Sequence, residues 1–282
     1  METTRHFARA AAAALACLAA VAASASEPPV TDEATLATLD RVIAGDHRSE
    51  ANRARDAWRH PKETLKFFGF RQDMTVLEVS PGGGGWYTEI LAPALREHGK
   101  YIAAGPDPKT AGQYGQGNIR KFADKLAARP DLYDRVTVTA LQPPDAVDPV
   151  PAGSVDMVLT FRNVHNWMGN GSADAMFAAM YKALKPGGIL GVCEHRAKGE
   201  EPQDPKAESG YVRTDYLVAL AKKAGFELIG ESEVNANPKD TGDHPNGVWS
   251  LPPTLRGGDA DRDKFLAIGE SDRQTLRFRK PE

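Results

Sequence analysis

The stretch Met74-Thr75-Val76-Leu77-Glu78-Val79-Ser80-Pro81-Gly82-Gly83-Gly84-Gly85-Trp86-Tyr87-Thr88-Glu89-Ile90 sets the reading of the whole chain. Thr75 to Val79 is a short apolar run rich in β-branched residues, the pattern of a strand buried in a parallel sheet. Four glycines follow, and a helical pattern starts at Trp86. Strand, glycine turn and helix together let a backbone approach a ligand closely, with unpaired N–H groups at the helix start. Two common ligand types fit poorly. A P-loop needs Lys-Ser/Thr after the glycines, and none is present. The dinucleotide fingerprint G-x-G-x-x-G/A would put Tyr87 where helix–strand packing needs a small residue, which disfavours a nicotinamide oxidoreductase.

Toward the N-terminus, Arg5, His6 and Arg9 precede an apolar run from Ala10 to Ala23, and Ala23-Ser24-Ala25 has the form of a cleavage site. This pattern predicts a secretory signal peptide over residues 1–25, export to the periplasm, and no stable membrane insertion after its removal. Cleavage removes Cys17 and leaves Cys193 as the single cysteine, so no intrachain disulfide is expected. The full chain carries 35 Lys and Arg against 38 Asp and Glu. A mildly acidic balance without a basic run gives no reason to expect nucleic acid as a partner. His47, His60, His98 and His244 lack the spacing of a metal site, and no metal is expected. Nothing in the composition sets the oligomeric state.

Residues 26–70 read as a helical preamble, with a helix from Thr31 to Gly45 capped by Asp32 or Thr31 and a charged helix from Ser49 to Arg59. Leu65, Phe67, Phe68 and Phe70 then form an apolar cluster that either covers a cofactor mouth or caps the sheet edge. Over 71–282, strand patterns alternate with helical ones. Strands are expected at Thr75–Val79, Tyr101–Ala104, Val136–Thr139, Val155–Phe161, Ile189–Cys193, Phe226–Ile229 and Thr275–Arg279. The intervening helices span Trp86–His98, Asn118–Arg129, Ser172–Leu184 and a segment from Thr214 or Asp215 to Ala224. Pro93 falls awkwardly inside the first of these. Such alternation means an α/β fold with a mostly parallel sheet. Asn235 to Asp272 is long and Gly/Pro-rich, either a substrate lid or a solvated insertion.

Val76-Leu77-Glu78-Val79-Ser80-Pro81-Gly82-Gly83-Gly84 resembles motif I of class I S-adenosylmethionine-dependent methyltransferases, usually V-L-D/E-h-G-x-G-x-G. Gly99-Lys100-Tyr101-Ile102-Ala103-Ala104 resembles that family's second strand. Gly153-Ser154-Val155-Asp156-Met157-Val158 resembles its fourth, and Leu184-Lys185-Pro186-Gly187-Gly188-Ile189-Leu190 its entry to strand five. The resemblance covers roughly Met74 to Ile229. It implies a three-layer, Rossmann-like sheet of about seven strands, mostly parallel with an antiparallel last strand. It also implies S-adenosylmethionine as cofactor, held by Glu78, Ser80, Pro81, Gly82 and Gly84 of the loop, with Asp107 and Asn163. The pattern is departed from in three places. Ser80 replaces the first motif glycine, Gly105 stands where strand two should end in a ribose-binding acid, and no acid follows strand three at Leu141-Gln142. Asp107 is the nearest substitute for the ribose acid.

In open α/β sheets, ligands bind beyond the carboxyl ends of the strands. Arg162-Asn163-Val164-His165-Asn166-Trp167 follows strand four and Glu194-His195-Arg196 follows strand five. Methyl transfer needs an aligned nucleophile, excluded water, and a base if the nucleophile carries a proton. His165, Glu194 and His195 are the candidates for that work. Trp167 is placed to wall the substrate side, and Arg196 to bind an anionic substrate. No N-P-P-Y signature is present, which weighs against nucleobase and amide substrates. The expected function is methyl transfer to a small molecule; the alternative is a non-catalytic exported binding protein that kept the fold.

Overall fold

The computed structural model describes residues 27–282; the signal-peptide expectation lies outside the described residues. The chain opens with α1 (Glu33–Ile43), α2 (Glu50–Arg53), α3 (Asp56–Arg59) and α4 (Pro61–Phe68). Then come β1 (Thr75–Val79), α5 (Thr88–Leu95), β2 (Lys100–Gly105), α6 (Gln113–Ala128), α7 (Pro130–Tyr133) and β3 (Thr137–Ala140). The second half holds β4 (Val155–Phe161), α8 (Val164–Gly169), α9 (Ala173–Ala183), β5 (Leu184–His195), α10 (Thr214–Lys223) and β6 (Glu227–Ser232). A 3-10 turn (Gly247–Ser250), α11 (Arg262–Ile268) and β7 (Arg273–Arg279) complete it. No described helix is long and apolar enough to cross a membrane.

The seven strands form one sheet in the order β3-β2-β1-β4-β5-β7-β6. The β1, β2, β3, β4 and β5 neighbours pair in parallel, while β7 runs antiparallel to both β5 and β6. Alternation sorts the side chains into two cores. Leu77, Val79, Val158, Leu190 and Val192 pack with α9, whereas Val76, Met157, Leu159, Ile189 and Cys193 pack with α1, α4 and α5. Chain order reverses between β1 and β4, which makes their carboxyl ends the topological switch point.

The motifs behind the resemblance divide between the two ends of the sheet. Asp156 accepts the Thr75 N–H at 2.8 Å and pairs with Lys185 at 2.5 Å, so it pins the amino ends of β1, β4 and β5 together. Gly187 adopts φ +75°, and a Cβ on Gly188 would meet the Lys185 carbonyl at 2.8 Å. These residues are structural and lie at the end of the sheet away from the switch point. A groove of about 530 Å³ opens there, lined by Arg71, Asp73, Asp156 and Lys185 among others.

Several boundaries differ from expectation. The expected helix over Ser49–Arg59 is two single turns, because the chain bends at Ala54-Arg55 and His60 turns left-handed at φ 38°. Helix α6 starts five residues before Asn118 and takes in Gly115 and Gly117, since packing over the loop after β1 overrides weak glycine propensity. Pro93 is accommodated inside α5, which ends at Leu95 and not at His98. Helix α8 was not anticipated; six residues are too few for a periodic signal.

The Phe cluster of the preamble caps the face of the sheet. Phe68 is fully buried against Phe161, their ring centroids 6.4 Å apart, and Gly191 of β5 gives it room. A Cβ on Gly191 would meet Phe68 Cδ2 at 2.8 Å and Leu159 Cδ2 at 2.7 Å. Gly191→Ala should therefore destabilise the protein by about 1–3 kcal/mol through overpacking. Combined with Phe68→Leu it should cost less than the sum of the two single changes. Urea unfolding of the four proteins checks this; strictly additive losses would contradict the contact.

Candidate functional site

At the carboxyl end of β1 the chain enters an abrupt turn. Ser80 sits at φ +57°, in the left-handed region where the usual residue is glycine; for an L-residue this conformation costs on the order of 1 kcal/mol. Its N–H donates to the Ala104 carbonyl at 2.8 Å, tying the turn to β2. Asn163, just past β4, donates its side-chain amide to the carbonyls of Val79 at 3.2 Å and Ser80 at 3.3 Å, and to Thr160 Oγ1. Ser80 and Asn163, expected to contact cofactor, shape the loop through these groups. Both Ser80 backbone groups and the Asn163 amide N–H groups are engaged within the chain, so these two residues hold the loop in shape.

The four glycines serve two purposes. Gly83 and Gly85 are buried beneath α6, where a Cβ would meet Asn118 Oδ1 at 2.9 Å and Phe122 Cε2 at 3.0 Å. Gly82 and Gly84 face outward with nothing within 4 Å of a Cβ, so backbone is open to a ligand at these two positions. Pro81 stands half-buried at the start of that open stretch. Tyr87 stacks on Phe161 with centroids 3.5 Å apart, filling the space that a dinucleotide loop reserves for a small residue. Trp86 turns the other way, donating from Nε1 to the Asn52 carbonyl at 3.1 Å and lying under the guanidinium groups of Arg48 and Arg59.

Glu78 is 3 % exposed and lies beneath the loop, not in the cleft. Its carboxyl accepts from Tyr101 and sits 3.5 Å from Thr88 Oγ1. The expected cofactor contact through Glu78 is therefore replaced by a buried support. On the β2 side, Gly105 leaves the strand end without a carboxylate, and a Cβ there would meet nothing within 4 Å. Asp107 accepts the Lys109 N–H at 2.9 Å through one oxygen, while its own N–H donates to Gln142 Oε1 at 3.0 Å. Gln142, which stands where an acid was sought after strand three, thus braces the Asp107 loop.

Across the switch point, β4 and β5 bring His165, Glu194 and His195 together. Glu194 is fully buried, accepting the Val164 N–H at 2.6 Å and the His195 N–H at 2.8 Å, and lies 3.0 Å from His165 Nδ1. An ionised Glu194 places the proton on His165 Nδ1 and leaves Nε2 as the acceptor. His195 lies with its ring 5.3 Å from that of His165 and its Nδ1 2.5 Å from Ser271 Oγ. Burial, with the charges of His165, Arg162, Arg273 and Arg59, pushes the His195 imidazole well below its ordinary range, so it stays neutral. The three groups offer ligand atoms within 4.8 Å of one another, close enough to hold a metal ion, against the expectation of none. Both Glu194 oxygens, however, already accept N–H groups of the chain.

Residues 235–272 fold over this end. Buried Asp240 accepts from Tyr211 Oη at 3.0 Å, from the Asp272 N–H at 2.7 Å, and lies 2.8 Å from His244 Nε2. Trp249 from this segment stands edge-on to His165 at 6.0 Å. Trp249, and not Trp167, therefore flanks the histidine; Trp167 packs into the core on Phe177. Arg196 is also corrected, because its nitrogens are consumed by Asp272 and Glu233 at 2.7–2.9 Å. Trp249 and Ser271 fall in the segment the sequence offers as a substrate lid, whereas the arginines around Glu270 gave no such sign. The only available signal was the polar run Glu270-Ser271-Asp272-Arg273 directly before the last strand.

Burial pushes the Glu78 carboxyl up to about 7, against the opposing hydrogen bonds of Tyr101 and Thr88 and the Arg162 charge. The folded value exceeds the unfolded one near 4.5. Stability from this group is thus complete below the unfolded value and is lost as pH rises through the folded one. Wild type should lose about 3 kcal/mol relative to Glu78→Gln between pH 4.5 and pH 7.5. Urea unfolding across that range checks it, and parallel profiles for the two proteins would contradict the buried-acid assignment.

No family model matches the sequence, and no curated protein matches it. Solved structures do match. A SAM-dependent methyltransferase from Aquifex aeolicus aligns over 88 % of this chain and 98 % of its own at 15 % identity, with a TM-score of 0.55. The [4+2]-cyclase SpnF aligns over 90 % of this chain and 99 % of its own at 17 % identity, with a TM-score of 0.56. One neighbour is described as a methyltransferase and the other as a cyclase, so the shared scaffold does not choose the reaction. On this likeness the seven-stranded, mostly parallel sheet is a Rossmann-like α/β fold of the methyltransferase type.

Proposed function

We propose that this protein is an S-adenosylmethionine-dependent methyltransferase acting on a small molecule, exported and working in the periplasm. The observation that carries the reading is the open backbone at Gly82 and Gly84, set at the switch point of a methyltransferase-type sheet whose neighbouring strands β4 and β5 end in a carboxylate–histidine pair. The residues fit the cofactor at the glycine turn. At the ribose end the fit rests on Asp107, whose second carboxylate oxygen is left for a hydroxyl. When bound, the cofactor supplies a methyl group already activated on a sulfonium. The chain then has to position, exclude water and accept a proton. Glu194 fixes the tautomer of His165, whose Nε2 takes the proton of the acceptor, and Trp249 shields that nitrogen from solvent. His195 remains neutral beside it and adds no opposing charge.

Calorimetry of the purified protein with S-adenosylhomocysteine should show saturable binding, weakened in Asp107→Ala. His165→Gln should keep that binding and lower turnover of S-adenosylmethionine, assayed with a pool of small-molecule acceptors, by about 10²–10⁴-fold. A chelator should leave turnover unchanged. Absence of binding heat at millimolar ligand would favour the second reading, a binding protein that kept the fold, for which Gly105 at the acid position is the specific support. Cell fractionation with mass spectrometry of the N-terminus should find the protein in the periplasm beginning at Ser26; a cytoplasmic protein retaining residues 1–25 would refute export.

A further inference from the structure

Beside His195, three guanidinium groups contact a single carboxylate and a fourth, that of Arg162, acts on it through its charge. Arg55 Nε donates to Glu270 Oε1 at 2.6 Å, Arg59 Nε to Oε2 at 3.0 Å, and Arg273 Nη1 lies 3.2 Å from Oε2. Burial alone would push the Glu270 carboxyl up, but Arg59, Arg273, Arg55 and Arg162 together hold it down at about 2. One ionised carboxylate cannot neutralise four cations. Arg59 is 1 % exposed, and its Nη1 and Nη2 have no hydrogen-bond partner; Arg55 Nη2 has none either.

Arg162 is the sharpest case. It leaves the end of β4 at φ +61°, a left-handed conformation that a side-chain-bearing residue rarely adopts, fixed by its N–H donating to the Cys193 carbonyl at 2.7 Å. Its half-buried guanidinium has no hydrogen-bond or ion-pair partner among the described residues. Buried, unpartnered guanidinium nitrogens such as those of Arg59 are costly, and strained backbone at a strand end, as at Arg162, points to a site. Burial above all lowers the proton affinity of both Arg162 and Arg59; Glu270 opposes it, and the neighbouring arginines add to it.

Resting on the methyltransferase reading, we propose that Arg162, with the Arg55–Arg59–Arg273 cluster behind it, is an anion-recognition subsite, and that the methyl acceptor carries a carboxylate or phosphate group. Position favours the acceptor over the amino-acid carboxylate of the cofactor. Arg162 and Arg273, at the end of β4 and the start of β7, adjoin His195 through Ser271, while Arg55 and Arg59 come from the preamble, where Arg59 lies over Trp86. A guanidinium fork recognises either oxyanion through paired N–H groups. The arrangement also replaces Arg196, whose own fork is saturated.

The test uses the full protein with inorganic phosphate and malonate as separate probes, read by calorimetry and thermal unfolding. Both the wild type and Arg162→Lys should be stabilised by at least one probe, and the stronger probe distinguishes phosphate from carboxylate acceptors. Arg162→Gln should weaken that binding about tenfold or more. Because Arg162 has no partner to lose and crowds other cations, Arg162→Gln should also melt no lower than wild type without anion. S-adenosylhomocysteine and 5′-methylthioadenosine, which lacks the carboxylate, should each bind wild type and Arg162→Gln equally. Selective loss of S-adenosylhomocysteine affinity in the variant would reassign the subsite to the cofactor. Equal anion binding by wild type and variant, or none by either, would overturn the proposal while leaving the cofactor measurement standing.

Discussion

Everything at the working end of this molecule depends on how β1 and β4 part company. Within the sheet they pair in register from Val76↔Met157 to Val79↔Thr160. Beyond it their chains turn to opposite faces, leaving the carbonyls of Val79 and Ser80 beyond the end of the ladder. Buried carbonyls must find donors. Asn163 supplies them with one side chain, and Ser80 accepts a left-handed backbone to let the chain turn toward β2. Arg162, one residue before Asn163, takes the matching left-handed conformation on the other strand. Ser80 and Arg162 thus flank the point where the two strands diverge, and the geometry there follows from the satisfaction of two backbone oxygens.

Two further layers make that opening specific. From below, the preamble grips the loop through Trp86, which sits against Arg48 and Arg59 and donates to Asn52. Arg48 is in turn held bidentately by Asp56. From above, residues 235–272 are fastened by the buried carboxylates Asp240 and Asp272, each accepting several hydrogen bonds. Breaking one partner of such a buried network strands the other, at a cost of about 3–5 kcal/mol. This segment is thus built into the fold, and Trp249 and Ser271 reach the histidines from it.

The sheet was legible because its signals are local. Thr75–Val79 and Val155–Phe161 are apolar runs between turn residues, and both occur as read. The glycine turn, the Asp156 strand and the Lys185-Pro186-Gly187-Gly188 turn sufficed to place the fold class. Two of those three motifs turn out to secure the far end of the sheet, which explains why they point to the fold without pointing to the chemistry. His165, Glu194 and His195 were legible too, since each follows a predicted strand end. Glu78 was misplaced because strand alternation, which sends it under the loop with Tyr101, competes with the motif that suggests a ligand contact. The arginine cluster was invisible for a different reason. Arg55, Arg59, Arg162, Glu270 and Arg273 come from three distant segments, and no spacing in the chain announces that they meet.

In the proposed assignment the cofactor lies at the switch point, between Ser80 and Arg162. A crystal structure of the protein grown with S-adenosylhomocysteine measures it most directly. The ligand should lie over Gly82 and Gly84 with its sulfur turned toward His165 Nε2 and its ribose toward Asp107. Ligand bound instead in the groove at the amino ends of β1, β4 and β5, or a cleft that stays empty at saturating ligand, would contradict it.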